Sequence, residues 1–476
     1  MDAAHVISRL DRSYDDCRNE LFELLRIPSI STQSEHRGDM VRAAEWLAQL
    51  LQRAGFSARL TPTAGHPVVI GEWDGAGERA PAVLVYGHYD VQPADPLESW
   101  ESPPFEPTVR ADRIYARGAT DDKGQLFAHL KALETCLAVC GRLPVNVIVL
   151  IEGEEEVGSP HMADVIRTHA DRLRCDAIVI SDSAMIAAGV PTIETSLRGN
   201  VSLEVEAIGP RTDLHSGEYG GAVINPAVAL CRILAGLQDE RGRISVEGFY
   251  GTVREWTVEE RQALSDLPFS EQAFTEEVGA SALGGEGGYS ALERRWIRPT
   301  FDITGIASGY TGEGARSVLP ARAVAKLSFR LVPDQDPDEI AARIDAHIRR
   351  AAPAGIRLAV QRLGIARPWR THRDNPAIAA GTRAFRRAFN REPVFVGGGG
   401  SIPVVTQLAD VFRAPVLLAG FGSPGENAHA PNEWLSEENF RKGMHASAFL
   451  WQELATLVGA GGCANASDTH LRESES

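Results

Sequence analysis

A histidine and an aspartate two residues apart, in Tyr86-Gly-His88-Tyr-Asp90, stand directly after an apolar run that begins at Ala82. On an extended segment, residues i and i+2 face the same way. Asp90 can therefore hold the imidazole proton and leave the other ring nitrogen of His88 for a metal. A second cluster, Arg117-Gly-Ala-Thr-Asp121-Asp122-Lys-Gly124, leads from extended structure into a helix. Aspartate at the mouth of a helix is an ordinary N-cap, a reading that suits Asp122 better than Asp121. The third cluster, Glu152-Gly-Glu154-Glu155-Glu156-Val-Gly158, closes the apolar run Val145 to Ile151. Carboxylates crowded at the end of a buried strand repel one another, and nearby cations would relieve the repulsion and lower their pKa values. Asp182 ends the run DAIVISD, and His429 lies in Gly425-Glu-Asn-Ala-His429-Ala-Pro-Asn432, shortly after APVLLAG. Two histidines, two separate carboxylates and one able to bridge make a balanced ligand set for a dinuclear centre, with metals about 3.5–4 Å apart.

Groups from five segments can meet if those segments end along one edge of one sheet, where open α/β sheets put their ligand sites. The hydrophobic pattern supplies such a sheet. Residues 14–26 and 39–54 carry apolar positions at helical spacing, and strand-like runs at 82–87, 145–151 and 177–181 flank a helical segment at 124–140. Nearly continuous apolar strands alternating with helices indicate a buried, largely parallel sheet covered on both faces. After about residue 193 the pattern changes. Residues 194–208 and 322–332 alternate as half-exposed strands, with helices at 225–237 and 337–351, which reads as a smaller inserted α+β domain. The first pattern resumes near Pro393, with a strand at 414–419 and a closing helix at 436–457. The predicted organisation is a discontinuous first domain (1–193 and 386–460), an inserted domain (194–385) and a flexible tail (461–476).

With 476 residues, two cores are expected. The composition, 43% hydrophobic and 24% charged, is ordinary for a globular protein. A formal charge of −16 argues against sequence-independent nucleic-acid binding, which needs clustered Lys and Arg. No stretch of about 18 apolar residues suggests a membrane span, and the first residues lack a basic head followed by an apolar run. The six cysteines have no CxxC spacing and read as reduced thiols, so a cytoplasmic protein is expected. Gly420-Phe-Gly422-Ser-Pro-Gly425 fits GxGxxG, but Pro424 and ENAHAPNE follow where a dinucleotide fingerprint must open a helix. The glycine-rich stretch from Gly279 to Gly288 reads as a mobile loop.

In order along nearly the whole chain, GHYDVQP, RGATDDKG, EGEEEVGS, VISD, DLHSG, SVLPARAVAKLSFRLVP, GGSIP and AHAPNE resemble the M20 metallopeptidases, within them the carnosinase-like and bacterial dipeptidase branch. The resemblance implies a zinc-peptidase-like α/β catalytic domain with a mostly parallel central sheet, plus an inserted α+β dimerisation or lid domain. It implies two divalent metals, zinc by expectation, with manganese or cobalt also accepted by such ligands. His88 and Asp182 would bind one metal and Glu156 and His429 the other, with Asp121 bridging and a cis peptide between Asp121 and Asp122. Glu155 would be the general base and Asp90 an orienter of His88. His215 would reach the partner's active site in a homodimer and stabilise the oxyanion, Arg330 would bind the substrate carboxylate, and Ser317 and Ser401 would contact substrate. One departure stands out: where many members read Arg-Glu-Gly-Gly-Ser-Ile-Pro, this chain has Gly397-Gly398-Gly399-Gly400-Ser401-Ile-Pro403, so Gly398 replaces an acidic residue able to meet a substrate amine. The expected activity is hydrolysis of dipeptides or similar small amides. An N-acyl or N-carbamoyl amino acid amidohydrolase is the first rival, and an inactive metal-binding scaffold the second.

Overall fold

A computed structural model of the chain describes residues 2–457, so the expected tail lies outside the described residues. The chain divides into two compact units. One comprises residues up to Thr195, Thr371–Val396 and the chain from Val404 onward; the other comprises Ser196–Arg370 and Gly397–Pro403. The return to the first unit thus comes earlier than residue 386. Helix Pro376–Phe389 is the reason: its apolar stripe, including Ala377, Ile378, Ala384 and Phe385, is buried in the first unit's core.

The first unit is built on a sheet whose strands run in the order Ser57–Thr61, Val68–Trp73, Asn146–Glu152, Ala82–His88, Ala177–Ile180, Val416–Leu418 and Thr192–Leu197. The central four are parallel, and the flanking pairs are antiparallel. Parallel strands need both faces covered, which explains why Ala82–His88 is buried from its second residue onward. One cover is helix Lys123–Cys140. It is apolar nearly all round because further helices lie over it, with Phe127 stacked on Phe440 of helix Glu437–Leu454 at 6.2 Å. Each fully buried leucine there, such as Leu133, contributes about 1.5–3 kcal/mol by leaving water.

Register fixes what the strands deliver. His88 pairs with Glu152, Tyr86 with Ile180, and Ile180 with Leu418, so the carboxyl ends of all four parallel strands open on one edge.

The second unit is an antiparallel sheet in the order Thr300–Ser308, Arg322–Leu331, Gly199–Ile208 and Arg357–Ala366. Strict alternation buries Val201, Leu203, Val205 and Ala207 in a core shared with helices Pro226–Ala235 and Pro337–Ala351. The single strand expected over 194–208 is two strands. Thr192–Leu197 ends at Arg198, whose guanidinium donates to the Gly399 carbonyl at 2.9 Å; Gly199, where a Cβ would lie 2.6 Å from the Ala366 carbonyl, starts the next. The stretch 279–288, expected as a loop, has neither helix nor strand and carries an anchor. Buried Glu286 accepts two hydrogen bonds from Arg298, at 2.8 Å each, and one from Arg243, and this fixes its far end.

Candidate metal centre

His88 is the last residue of its strand, and Gly87 before it lets another segment approach closely. At Gly87 a Cβ would stand 2.8 Å from an Asp122 carboxylate oxygen, so only glycine lets the strand end this close to the next loop. The His88 Nε2 atom is fully buried and has no hydrogen-bond partner. It faces Asp121 Oδ1 at 3.1 Å and Asp182 Oδ2 at 3.9 Å. The other Asp121 oxygen, Oδ2, lies 2.8 Å from His429 Nε2, which is also 3.2 Å from Glu156 Oε2. Two triads result, His88/Asp121/Asp182 and Asp121/Glu156/His429, sharing Asp121 through different oxygens. An orphaned buried imidazole nitrogen amid carboxylates is a poor hydrogen-bonding arrangement and a good cation cradle, so the donor set fits two divalent ions.

The electrostatics agree with that reading. Burial would lower the His88 pKa, but the nearby carboxylates of Asp121, Asp90 and Asp182 hold it well above the usual imidazole range. His429 is raised to about 10 by its bonds to Asp121 and Glu156. Burial pushes Asp182 up to about 7, with the charge of Asp121 adding to it. Burial, only partly opposed by His88, holds the Glu155 carboxyl well above its ordinary value. The protein alone thus carries more negative charge here than its two imidazoles can neutralise.

The supports differ in part from the sequence expectation. His88 Nδ1 is 3.0 Å from the Asp90 backbone carbonyl and 3.4 Å from its carboxylate. The carboxylate instead accepts the backbone N–H groups of Glu155 at 3.2 Å and Glu156 at 3.1 Å, pinning the turn Glu155–Val157 that presents both side chains. Asp122 occupies the N-cap position of helix Lys123–Cys140 but makes no capping bond; its Oδ2 accepts the His88 backbone N–H at 3.3 Å. The peptide between Asp121 and Asp122 is cis. Of the other acids in EGEEEVGS, Glu152 accepts from Tyr86 and Ser159, and Glu154 lies 2.7 Å from His161.

Several contributors went unnoticed in the sequence. Gln92 donates to Glu156 Oε2 at 2.7 Å. Fully buried Glu433 accepts from the backbone N–H groups of Gly118, Thr120 and Asp121 and from Arg117 Nη1, so one carboxylate organises the loop carrying the shared aspartate. Glu426 accepts from the Thr120 hydroxyl in the same loop. Gln92 and Glu433 both fall inside the motifs GHYDVQP and AHAPNE, the one signal that could have marked them.

The remaining expected site residues lie in the second unit. His215 is exposed on a short strand that pairs antiparallel with Val318–Leu319, its Nδ1 accepting from the Gly217 N–H at 3.0 Å. Ser317, just before Val318–Leu319, is exposed too. Arg330 donates to the Ser401 hydroxyl at 3.2 Å, and Ser401 donates to the Arg198 carbonyl at 2.5 Å. Gly420 and Gly422 open no helix; Gly420 is required because a Cβ there would meet the Ser183 carbonyl oxygen at 1.8 Å.

Residues 84–453 match the family model described as Peptidase family M20/M25/M40. The Cys-Gly metallodipeptidase dug1 of Schizosaccharomyces pombe is 30% identical over 464 residues, covering 94% of this chain and 97% of its own. The human Beta-Ala-His dipeptidase is 29% identical over 471 residues, covering 95% and 92% respectively. Among solved structures, the M20 family metallo-carboxypeptidase Sso-CP2 from Sulfolobus solfataricus superposes with a TM-score of 0.84 at 32% identity, covering 93% of this chain and 99% of its own.

Proposed function

Since the chain belongs to the M20/M25/M40 peptidase family, we propose that it is a dinuclear metal-dependent dipeptidase, a metallo-exopeptidase that hydrolyses the peptide bond of dipeptides or similar small amides. The observation that carries this is the pair of triads sharing Asp121, with one carboxylate oxygen turned to each histidine. His88 and Asp182 would hold one cation and Glu156 and His429 the other, with Asp121 available to both. Zinc is the expected ion, and manganese or cobalt suits the same nitrogen and oxygen donors. When bound, the cations polarise the scissile carbonyl and acidify water. Glu155, whose backbone N–H is held by the Asp90 carboxylate beside the cluster, takes the proton of the attacking water and returns it to the leaving nitrogen. Arg330 binds the substrate carboxylate, and Ser401 and Ser317 contact the substrate backbone.

A homodimer through the second unit is part of the reading. The exposed Ile303 and Ile306 on one edge strand, and Leu363 and Ile365 on the other, support an interface there. His215 serves the other copy's site. Among the described residues no helix is long and apolar enough to cross a membrane, and the described cysteines are free, which suits a reducing cytoplasm. Gly398 favours a second reading, a deacylase acting on N-blocked amino acids. The test is hydrolysis of Cys-Gly, β-Ala-His and N-acetyl amino acids by metal-stripped protein, before and after adding zinc or manganese. Metal-restored cleavage of free dipeptides is expected; restored cleavage of blocked substrates alone would favour the deacylase, and none at all would overturn both.

A further inference from the structure

One half-buried acid of the first unit has no task in the scheme above. Glu194 lies on strand Thr192–Leu197 and pairs with Leu418, which pairs in turn with Ile180. Paired residues share a face, and side chains two apart on a strand share it too. Glu194 therefore stands on the same face of the sheet as Tyr86, Ile180, and the two site residues that continue those strands, His88 and Asp182. Two interstrand steps, about 10 Å, separate it from the strand ending at Asp182. Among the described residues, nothing donates a hydrogen bond to its carboxylate and no cation pairs with it; the one charge that acts on it is that of Asp182, which is repulsive. Burial and that repulsion push its carboxyl up to about 8. The side chain keeps partial contact with solvent, so a ligand in solution can reach it.

A buried carboxylate without a partner is costly unless something brings one to it. We propose that Glu194 is the acceptor for the free ammonium group of the substrate, which makes the site selective for dipeptides with an unblocked amino end. The inference rests on the dipeptidase reading and answers the loss of an acid at Gly398. With the scissile carbonyl at the two triads, the amine lies only a short residue away, within the span that a glutamate side chain and one amino-acid residue fill together. The substrate's positive charge then supplies what no protein group does, and the carboxylate stays ionised while substrate is bound.

The test compares wild type, Glu194→Gln and Glu194→Asp, each loaded with zinc and checked for metal content. Cys-Gly and β-Ala-His are assayed beside their N-acetyl forms, and the des-amino analogue of each serves as a competitive inhibitor. Wild type should prefer the free amines. Glu194→Gln should lose about ten- to a hundredfold in kcat/KM on them, mostly in KM. Its inhibition by the des-amino analogues and its metal content should be unchanged, and Glu194→Asp should recover part of the loss. Equal losses on free and des-amino ligands, no loss at all, or a wild type indifferent to N-acetylation would each overturn the proposal. A wild type that binds metal but cleaves no dipeptide would instead remove the dipeptidase reading beneath it, and this shows in the wild-type arm alone.

Discussion

Asp90 offers the sharpest perturbation because one buried carboxylate supports two functional side chains through their backbone. It is fully buried, and its oxygens accept the N–H groups of Glu155 at 3.2 Å and Glu156 at 3.1 Å. Asp90→Ala leaves two inward-facing amides without acceptors, each costing about 1–3 kcal/mol, less whatever water recovers, so a stability loss of about 2–4 kcal/mol is expected. The turn then loses its backbone anchors and keeps the single bond from Gln92 to Glu156 on that side. A displacement of about 1 Å at a catalytic group costs on the order of a hundredfold, and here the general base and a metal ligand move together, so kcat should fall by at least that. Asp90→Asn keeps the shape but turns an NH2 donor toward one of the two amides. About half the stability loss and about a tenfold fall in kcat are expected. Denaturant unfolding, metal content and Cys-Gly turnover measure all three quantities. If Asp90 only orients His88, Asp90→Ala would keep the cation held by Glu156 and His429 and lose less than tenfold in kcat, which would refute the reasoning.

Two further expectations follow from other buried groups. Glu155→Ala should retain both metals while turnover drops by about 10²–10⁴, since it removes the proton acceptor and leaves the five ligands in place; near-normal turnover with full metal would remove Glu155 as base. His129, buried between the Ser181 and Ser447 hydroxyls at 2.8 Å each, has its pKa lowered to about 3 by burial. The unfolded chain binds a proton there below about pH 6.5 and the native state does not, so stability falls as pH drops from 6.5 toward 3. From pH 7 to pH 5 this single group should cost wild type about 2 kcal/mol relative to His129→Gln, read as the change in their unfolding free-energy difference; a constant difference would contradict the assignment.

The gathering of His88, Asp121, Glu156, Asp182 and His429 was legible because each follows an apolar strand or opens a helix, and local pattern marks such ends. The central strands were legible for the same reason. Less visible were Val68–Trp73 and Ser57–Thr61, short flanking strands near Gly and Pro, and the break at Arg198, which depends on a distant carbonyl at Gly399. Asp122 was read as a cap because cap propensity is local, whereas its partner, the His88 N–H, is 34 residues away. Glu194 looked like any strand residue. Its lack of a partner is a property of the packed sheet and leaves no trace in the sequence. The anchoring of Glu286 was hidden among glycines that, alone, signal only freedom.

The clamp around the Asp121 loop bears on the order in which the molecule comes into being. The acceptor for the Asp121 N–H, Glu433, lies 312 residues further along the chain. At about 5–20 residues per second, roughly 15 to 60 s of synthesis separate the two. Until Glu426 and Glu433 emerge, three backbone N–H groups of that loop and Arg117 Nη1 lack their native acceptor, and His429 does not yet exist. Three of the four parallel strands are made early, but Val416–Leu418 and the centre come last, so a half-made chain offers a stray cation only part of a ligand set.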